Sequence, residues 1–308
     1  MANTPSESSD PAAVLGGGHR PGTHWMIPAR SRFERIALLL TLPAGLLVGL
    51  LYLLPILQVL ALSLTEGKGA AANYAYLFSS GAVARVVRTT LVVTLSTTPI
   101  TIVIGYIIAF AILHMRERPR QLALLMVSIP FWISVLVRAF AWITILRAEG
   151  VLNSLLLSLG VIGEPLQLVY NRLGVTIGMV HYMVPFAVLL LYANLNDIDR
   201  RVIQAARSLG ARPATVFLRV WLPLSLPGLS IATLFVFVFS LGFLVTPALL
   251  GGGKTMMIAE YISIQITETR RWDLATSLST MLLLVVGGLV ALAFKSPALR
   301  TAFGGKER

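Results

Sequence analysis

Residues 248–255 read ALLGGGKT, a stretch whose residue types are those that cradle a phosphate. In nucleotide-binding loops the pattern is G-x-x-x-x-G-K-[ST]. Glycines let backbone N–H groups approach the phosphates, the lysine reaches them with its charge, and the hydroxyl binds the accompanying magnesium. Gly253, Lys254 and Thr255 match, and Ala248 stands where the first glycine belongs. Were the loop genuine, the chain would bind ATP. Other chemistry is sparse. Cysteine is absent, so there is no thiolate nucleophile, disulfide or iron–sulfur cluster, and only four histidines remain. No metal-ligand spacing appears among them, no Ser/His/Asp set can be placed on one face, and no cofactor is expected.

The elements that would position such a loop are wrong for it. Apolar residues make up 56% of the 308, charged residues only 12%, and the mean hydropathy is +0.81. A soluble domain carries about 25% charged residues. So little polar surface cannot cover a globule, and the solvent must be a lipid bilayer. The net charge of +12 is the excess expected of Lys and Arg gathered on cytoplasmic loops, and it does not call for a nucleic-acid partner.

A spanning helix needs about 20 largely apolar residues. Six stretches qualify: 36–64, 89–113, 121–146, 173–195, 220–253 and 274–294. The expected fold is an all-α integral membrane protein with six transmembrane helices, because long unbroken apolar runs suit helices and not a barrel. The fifth run is longer than a bilayer requires, so part of it should lie at an interface or in a loop. Residues 1–35, rich in Gly, Pro and Ser, read as a disordered tail and not as a secretory signal.

With the N-terminus inside, the inner segments 1–35, 114–120, 196–219 and 295–308 hold 16 of the 25 Lys and Arg, and the outer loops hold 8. This bias places both termini in the cytoplasm. Lys254 then falls on the outer face, where ATP is not available. No buried strand precedes it. The GGGKT run is therefore read as a glycine-rich turn at the end of a membrane helix, and the chain as one without its own nucleotide site.

The loop between the fourth and fifth spans, NDIDRRVIQAARSLGARPATVFLRVWLPLSLPG (196–228), is the most structured polar stretch. Asp197 or Asp199 can cap a first short helix, with its charge at the positive end of the dipole. Val202, Ala206 and Leu209 recur at helical spacing as one apolar stripe, and Gly210 stops the helix as a left-handed residue. Pro213 suits the first turn of a second helix, and Pro223 is expected to end it. With Ala205, Ala206 and Gly210 on one side and Arg200, Arg201 and Arg207 beside them, this helix can press closely on another protein or lie on acidic lipid headgroups.

At this point a resemblance enters. Gln204-Ala205-Ala206, then Gly210, then Val220-x-Leu222-Pro223 resembles the EAA---G---------I-LP signature of permease subunits of bacterial ABC importers. The resemblance implies the type I permease fold and a bacterial inner-membrane location. It also implies that residues 199–212, with Asp199 and Arg201 at their start, form a coupling helix that docks on a cytoplasmic ATPase subunit. Gln204 replaces the family's usual Glu, and Ser208 stands where many relatives carry Asp, so any ion pair made by those acids is absent here. PFWISVLVRAFAW (130–142), GVLNSLL (150–156), SLGFLVTPALLGGGKTMMIAEYISIQI (240–266) and RRWDLATSLS (270–279) resemble the spermidine/putrescine-type branch, and within it the first of two permease subunits. This implies a permease core over 86–294 with its coupling loop at 196–222, preceded by a first helix and outer loop at 36–85 and followed by a cytoplasmic tail at 295–308. It further implies a second permease subunit and an extracytoplasmic solute-binding protein. Related subunits serve polyamines, iron(III), aminoethylphosphonate and other small solutes.

Within the spans, Arg138 is the one formal charge. It reads either as a polar gate or solute contact, or as an arginine tied to neighbouring carbonyls, and Trp142 one turn on is placed to stack with it. His181 reads as a buried histidine with a hydrogen bond. Pro130, Pro185 and Pro247 can kink their spans, and Phe131, Trp132, Tyr182 and Phe186 near them can line a path or simply pack. Glu149, Glu164, Glu260, Glu268 and Asp273 fall on the outer side, where they attract a cation or are merely solvated. No acid lies inside a span, which argues against an ion-coupled carrier.

Overall fold

The computed structural model describes residues 27–295, and the side chains of all of these but 27–36 and 38. The tails at 1–26 and 296–308 lie outside the described residues. The described chain is helical and contains no strand. It divides into two compact units, 1–57 and 58–308, with the division inside the first helix.

Helix α1, Ile27–Thr65, begins nine residues before the apolar run expected at 36. Its leucines from Leu39 to Leu57 are exposed, Leu39 at 70% and Leu51 at 66%, so this part of the helix needs lipid as its solvent. In the second unit, α2 (Ala70–Ser79) leads into α3 (Gly81–Leu113), which Ser80 caps by accepting from the Val83 N–H. Helix α3 packs along α7 (Arg172–Asn196), and α10 (Leu222–Leu241) lies against both. Met179, Met183, Ala187, Val188 and Leu191 of α7 are fully buried in that seam. Small residues set the spacing: a Cβ on Gly105 of α3 would sit 2.8 Å from the Cβ of Ala187. A second cluster joins Leu77, Val83 and Val86 to Ile258 of α12 (Ile258–Thr267) and to Leu274 and Leu278 of α13 (Trp272–Lys295).

Five helices are long and apolar enough to cross a membrane, and a bent pair supplies the sixth span if it counts as one. That pair corrects the expected continuous span at 121–146. Helix α4 (Glu117–Ser128) ends in a 3₁₀ turn, Ile129–Trp132, and the chain turns by 97° before α5 (Val135–Leu146) and α6 (Val151–Ser158). Pro130 lies in this turn, where its ring and missing N–H end the α-helical ladder. The fifth run divides as expected: α10 stops at Leu241, Gly242 caps it, and Val245–Leu250 forms a separate short helix, α11. Pro247 belongs to α11 and not to a span.

Pro223 does not end a helix. The chain runs without a break from α9 (Pro213–Val216) through a π-helical turn, Phe217–Trp221, into α10. The wider π turn relieves the clash that a proline ring makes with the preceding turn, so the helix passes through.

Candidate functional site

At the Leu113 end of α3, the loop after α7 folds into α8, Arg200–Ser208. Asp199 is its cap: the carboxylate accepts from the Arg201 N–H at 2.8 Å. At the other end Gly210 has φ +80, the Gly210 N–H donates to the Arg207 carbonyl, and the Ala211 N–H donates to that of Ala206. This paired closure satisfies the last carbonyls and demands a residue at ease in the left-handed region. Pro213 opens α9 as expected.

The buried residue of α8 is Ile203, at 5% exposure, and Ala206 packs partly beside it. Val202 and Leu209, at 47% and 88% exposure, face away. Of the expected apolar stripe, Val202 and Leu209 are therefore presented outward, together with exposed Gln204, Ala205 and Arg201, while Ala206 turns partly toward the core. Beside it, a cavity of about 300 Å³ is lined by Gln204, Arg200, Arg207, Arg120, His114 and Trp221, with no acid in its wall. Leu222 and Pro223 lie one turn further, at the start of α10. Trp221, Phe217, Phe110 and Tyr106 meet edge to face beneath the loop, and His114 lies tilted against Trp221.

Arg138 sits on the first turn of α5. Its guanidinium donates to the Ile133 carbonyl across the bend at 3.1 Å and lies 4.5 Å over the Tyr182 ring. The expected stacking partner, Trp142, instead meets His181 edge to face at 5.4 Å. His181 is exposed and its side chain meets that ring, so the expectation of a buried, hydrogen-bonded histidine is corrected. The cavity among Arg138, Trp142, His181 and Tyr182 measures about 10 Å³, room for about one water. It is a packed joint.

Tyr182 and Phe186 on α7, one turn apart with Pro185 between them, belong to a longer aromatic row. Phe131 meets Phe186 at 4.6 Å, and Phe235 and Phe239 of α10, with Phe243 just past its cap, continue the row. The four-residue spacing of Phe235, Phe239 and Phe243 is visible in the sequence as a helical period, which the helix itself carries only as far as Phe239. Trp132 takes no part and is 90% exposed. In the GVLNSLL run, Asn153 is fully buried and holds the loop after α6 through both its donor and acceptor to the Leu166 backbone.

The GGGKT run is a turn between α11 and α12, with Gly252 and Gly253 at φ +55 and +74. It lies at the Gly81 end of α3, whose 33 residues span about 50 Å at about 1.5 Å each, so the α8 loop is at the far end. No strand precedes it and no helix follows until Ile258. Among the acids, Glu149, Glu164 and Glu268 are exposed, Asp273 pairs with Arg271 at 3.4 Å, and Glu260 is 7% exposed. No group of His, Asp or Glu among the described residues could hold a metal.

Lipid-length helices closed around a tight seam, with a capped helix-turn-helix turned outward at one end, define a membrane transport subunit. The chain belongs to the family of inner-membrane components of binding-protein-dependent transport systems, whose pattern it matches over residues 69–296. It is the permease type of subunit of ABC importers, not an enzyme. It is 31% identical over 255 residues to the spermidine/putrescine transport system permease protein PotB of Haemophilus influenzae, covering 80% of this chain and 89% of that one. It is also 31% identical over 198 residues to PotB of Escherichia coli K12, covering 64% and 72%. The fold matches a permease chain in the crystal structure of a bacterial alginate ABC transporter in complex with an alginate-bound periplasmic protein. There the TM-score is 0.73 at 19% identity, over 88% of this chain and 98% of that one.

Proposed function

We propose that this permease subunit carries a polyamine such as spermidine or putrescine across the inner membrane, with both termini in the cytoplasm. The solute rests on the two PotB relatives, and the orientation on the Lys and Arg count of the loops. A cytoplasmic ATPase docks on α8 and hydrolyses the ATP, a second permease subunit completes the path, and an extracytoplasmic binding protein delivers the solute.

The observation that carries the docking role is the outward placement of Val202 and Leu209 at α8. Val202 and Leu209 are exposed on a helix that is capped at both ends and anchored by Ile203. An apolar face in such a place suits a protein groove. The neighbouring cavity holds Arg120, Arg200 and Arg207 without an acid, so a carboxylate of the ATPase supplies the countercharge that Gln204 lacks. From α8 the continuous helix 213–241 carries a rigid-body push to the aromatic row on α7 and α10. Arg138, Trp142 and Tyr182 act there as a joint that holds α5 against α7, while Pro185 and Phe186 border the path.

Val202→Glu with Leu209→Glu tests the reading, alongside charge reversal of Arg201 and Arg207. The expected result is normal membrane insertion, with ATPase co-purification and spermidine uptake both reduced about tenfold or more. Undiminished co-purification and uptake would remove α8 from the docking role.

A further inference from the structure

Four cations meet in one cavity at the end of the bundle remote from α8. Arg85 and Arg88 lie on the second and third turns of α3, Arg172 is the first residue of α7, and Lys254 belongs to the GGGKT turn. Together with Thr89 and Tyr261 they line a cavity of about 470 Å³. No acid lines it. Two other arginines have side-chain partners: Arg271 pairs with Asp273, and Arg138 bonds a carbonyl and stacks on Tyr182. Among the described residues, the side chains of the four around the cavity have no ion pair and no hydrogen bond. Four unmatched like charges around one space repel one another, and a bound anion removes that repulsion.

The placement narrows the anion. Two long helices begin here, α3 and α7, and their positive dipole ends add to the side-chain charge. Gly253, at φ +74, has open space around it, so its backbone can be approached closely. Helix α3 is about 50 Å long by its 33 residues, against a hydrocarbon core of about 30 Å, so its first turns stand in the headgroup layer. Arg172, at the start of a 25-residue span, stands at the same level. Val86 and Met256 give the cavity an apolar wall beside its cationic one. Arginine forks match phosphate oxygens two at a time, and Thr89 and Tyr261 add hydroxyl donors.

We propose that this cavity is a phosphate-binding site, filled in the membrane by the headgroup of an anionic phospholipid. The GGGKT turn thus contributes to a phosphate site without a nucleotide, through Gly253 and Lys254. The site does not depend on which solute the permease carries.

The test uses the full chain, purified in detergent with the subunits that accompany it. Native mass spectrometry compares retention of phosphatidylglycerol with that of phosphatidylcholine, and inorganic phosphate is added as a competitor. The wild type is expected to retain phosphatidylglycerol preferentially, and Arg85→Gln/Arg172→Gln/Lys254→Gln to lose about tenfold or more of that preference. Arg85→Lys with Arg172→Lys should keep most of it, which separates charge from folding, and Arg118→Gln at the far end should leave it unchanged. Displacement of the lipid by inorganic phosphate identifies a headgroup-sized site; retention against phosphate shows that the acyl chains contribute, and both support the proposal. Equal retention of the two lipids by the wild type, or unchanged preference in the triple variant, overturns it. So does lost binding-protein-driven uptake with lipid preference intact, which assigns the cluster to an acidic protein surface.

Discussion

The phenol of Tyr106 and the hydroxyl of Ser225 lie 3.0 Å apart, joining α3 to α10 across 119 residues of chain. The bond sits just above the stack of Phe217 and Trp221, where the α8 loop enters the bundle. It ties the helix that would receive a push from the loop to the helix at the centre of the seam. Ser225 also donates to the Leu222 carbonyl, so it keeps a partner if Tyr106 is lost.

Tyr106→Phe should therefore cost little, about 0.6 kcal/mol, as interhelical hydrogen bonds in membranes typically do. Ser225→Ala should cost more, because it leaves the buried Tyr106 phenol without a partner, and the double variant should lose less than the sum of the two. Unfolding of the purified chain measures all three, and additive losses would show that the two hydroxyls act separately.

Gly228→Ala should be worse. A Cβ there would lie 2.0 Å from Cγ of Asn194 on α7, closer than any packing allows. Overpacking of this kind costs about 1–3 kcal/mol, and Asn194→Ala in the same chain should recover most of it. Failure of the second change to recover stability would place the strain elsewhere.

Arg138→Lys keeps the charge and loses the fork. The contact over the Tyr182 ring and the bond to the Ile133 carbonyl both weaken, for a loss of about 1–2 kcal/mol. If Arg138 is a joint, less folded protein accumulates while KM for the solute in uptake stays at its wild-type value. A raised KM at normal abundance would put the guanidinium on the path instead.

Glu260 gives a pH dependence. Burial pushes its carboxyl above the usual carboxylate range, against a smaller downward pull from a hydrogen bond with the Met257 backbone, and its Oε2 has no partner. The folded chain then holds a proton that the unfolded chain has released. The resulting stabilisation is present below about pH 4.3 and is lost as pH rises through the raised value. Glu260→Gln should melt higher than the wild type at neutral pH, with the difference closing as the medium is acidified. A difference that ignores pH would mean that Glu260 keeps one protonation state throughout.

The site at α8 was legible for local reasons. The Asp199 cap, the Gly210 stop and the Pro213 start are each decided within a few residues by backbone sterics and by the need to satisfy helix ends. Pro223 misled because a proline's effect depends on the turn before it, and nothing in its neighbours announces a π turn. Trp142 misled in another way. Spacing along α5 brings it near Arg138, yet the ring that the guanidinium covers belongs to α7.

Composition and run length alone determined that this chain lives in lipid as a bundle of helices, because those properties sum over residues whatever their neighbours. The permease pattern and the form of the α8 loop also follow from residue order. Only the tertiary structure decided that the third apolar run turns through 97° and that Val202 and Leu209 face outward while Ala206 turns partly toward the core. It alone brought Arg85, Arg88, Arg172 and Lys254 around one cavity. These are relations between helices far apart in the chain. They arise from which surfaces fit closely enough to pack, and a single helix does not contain that information.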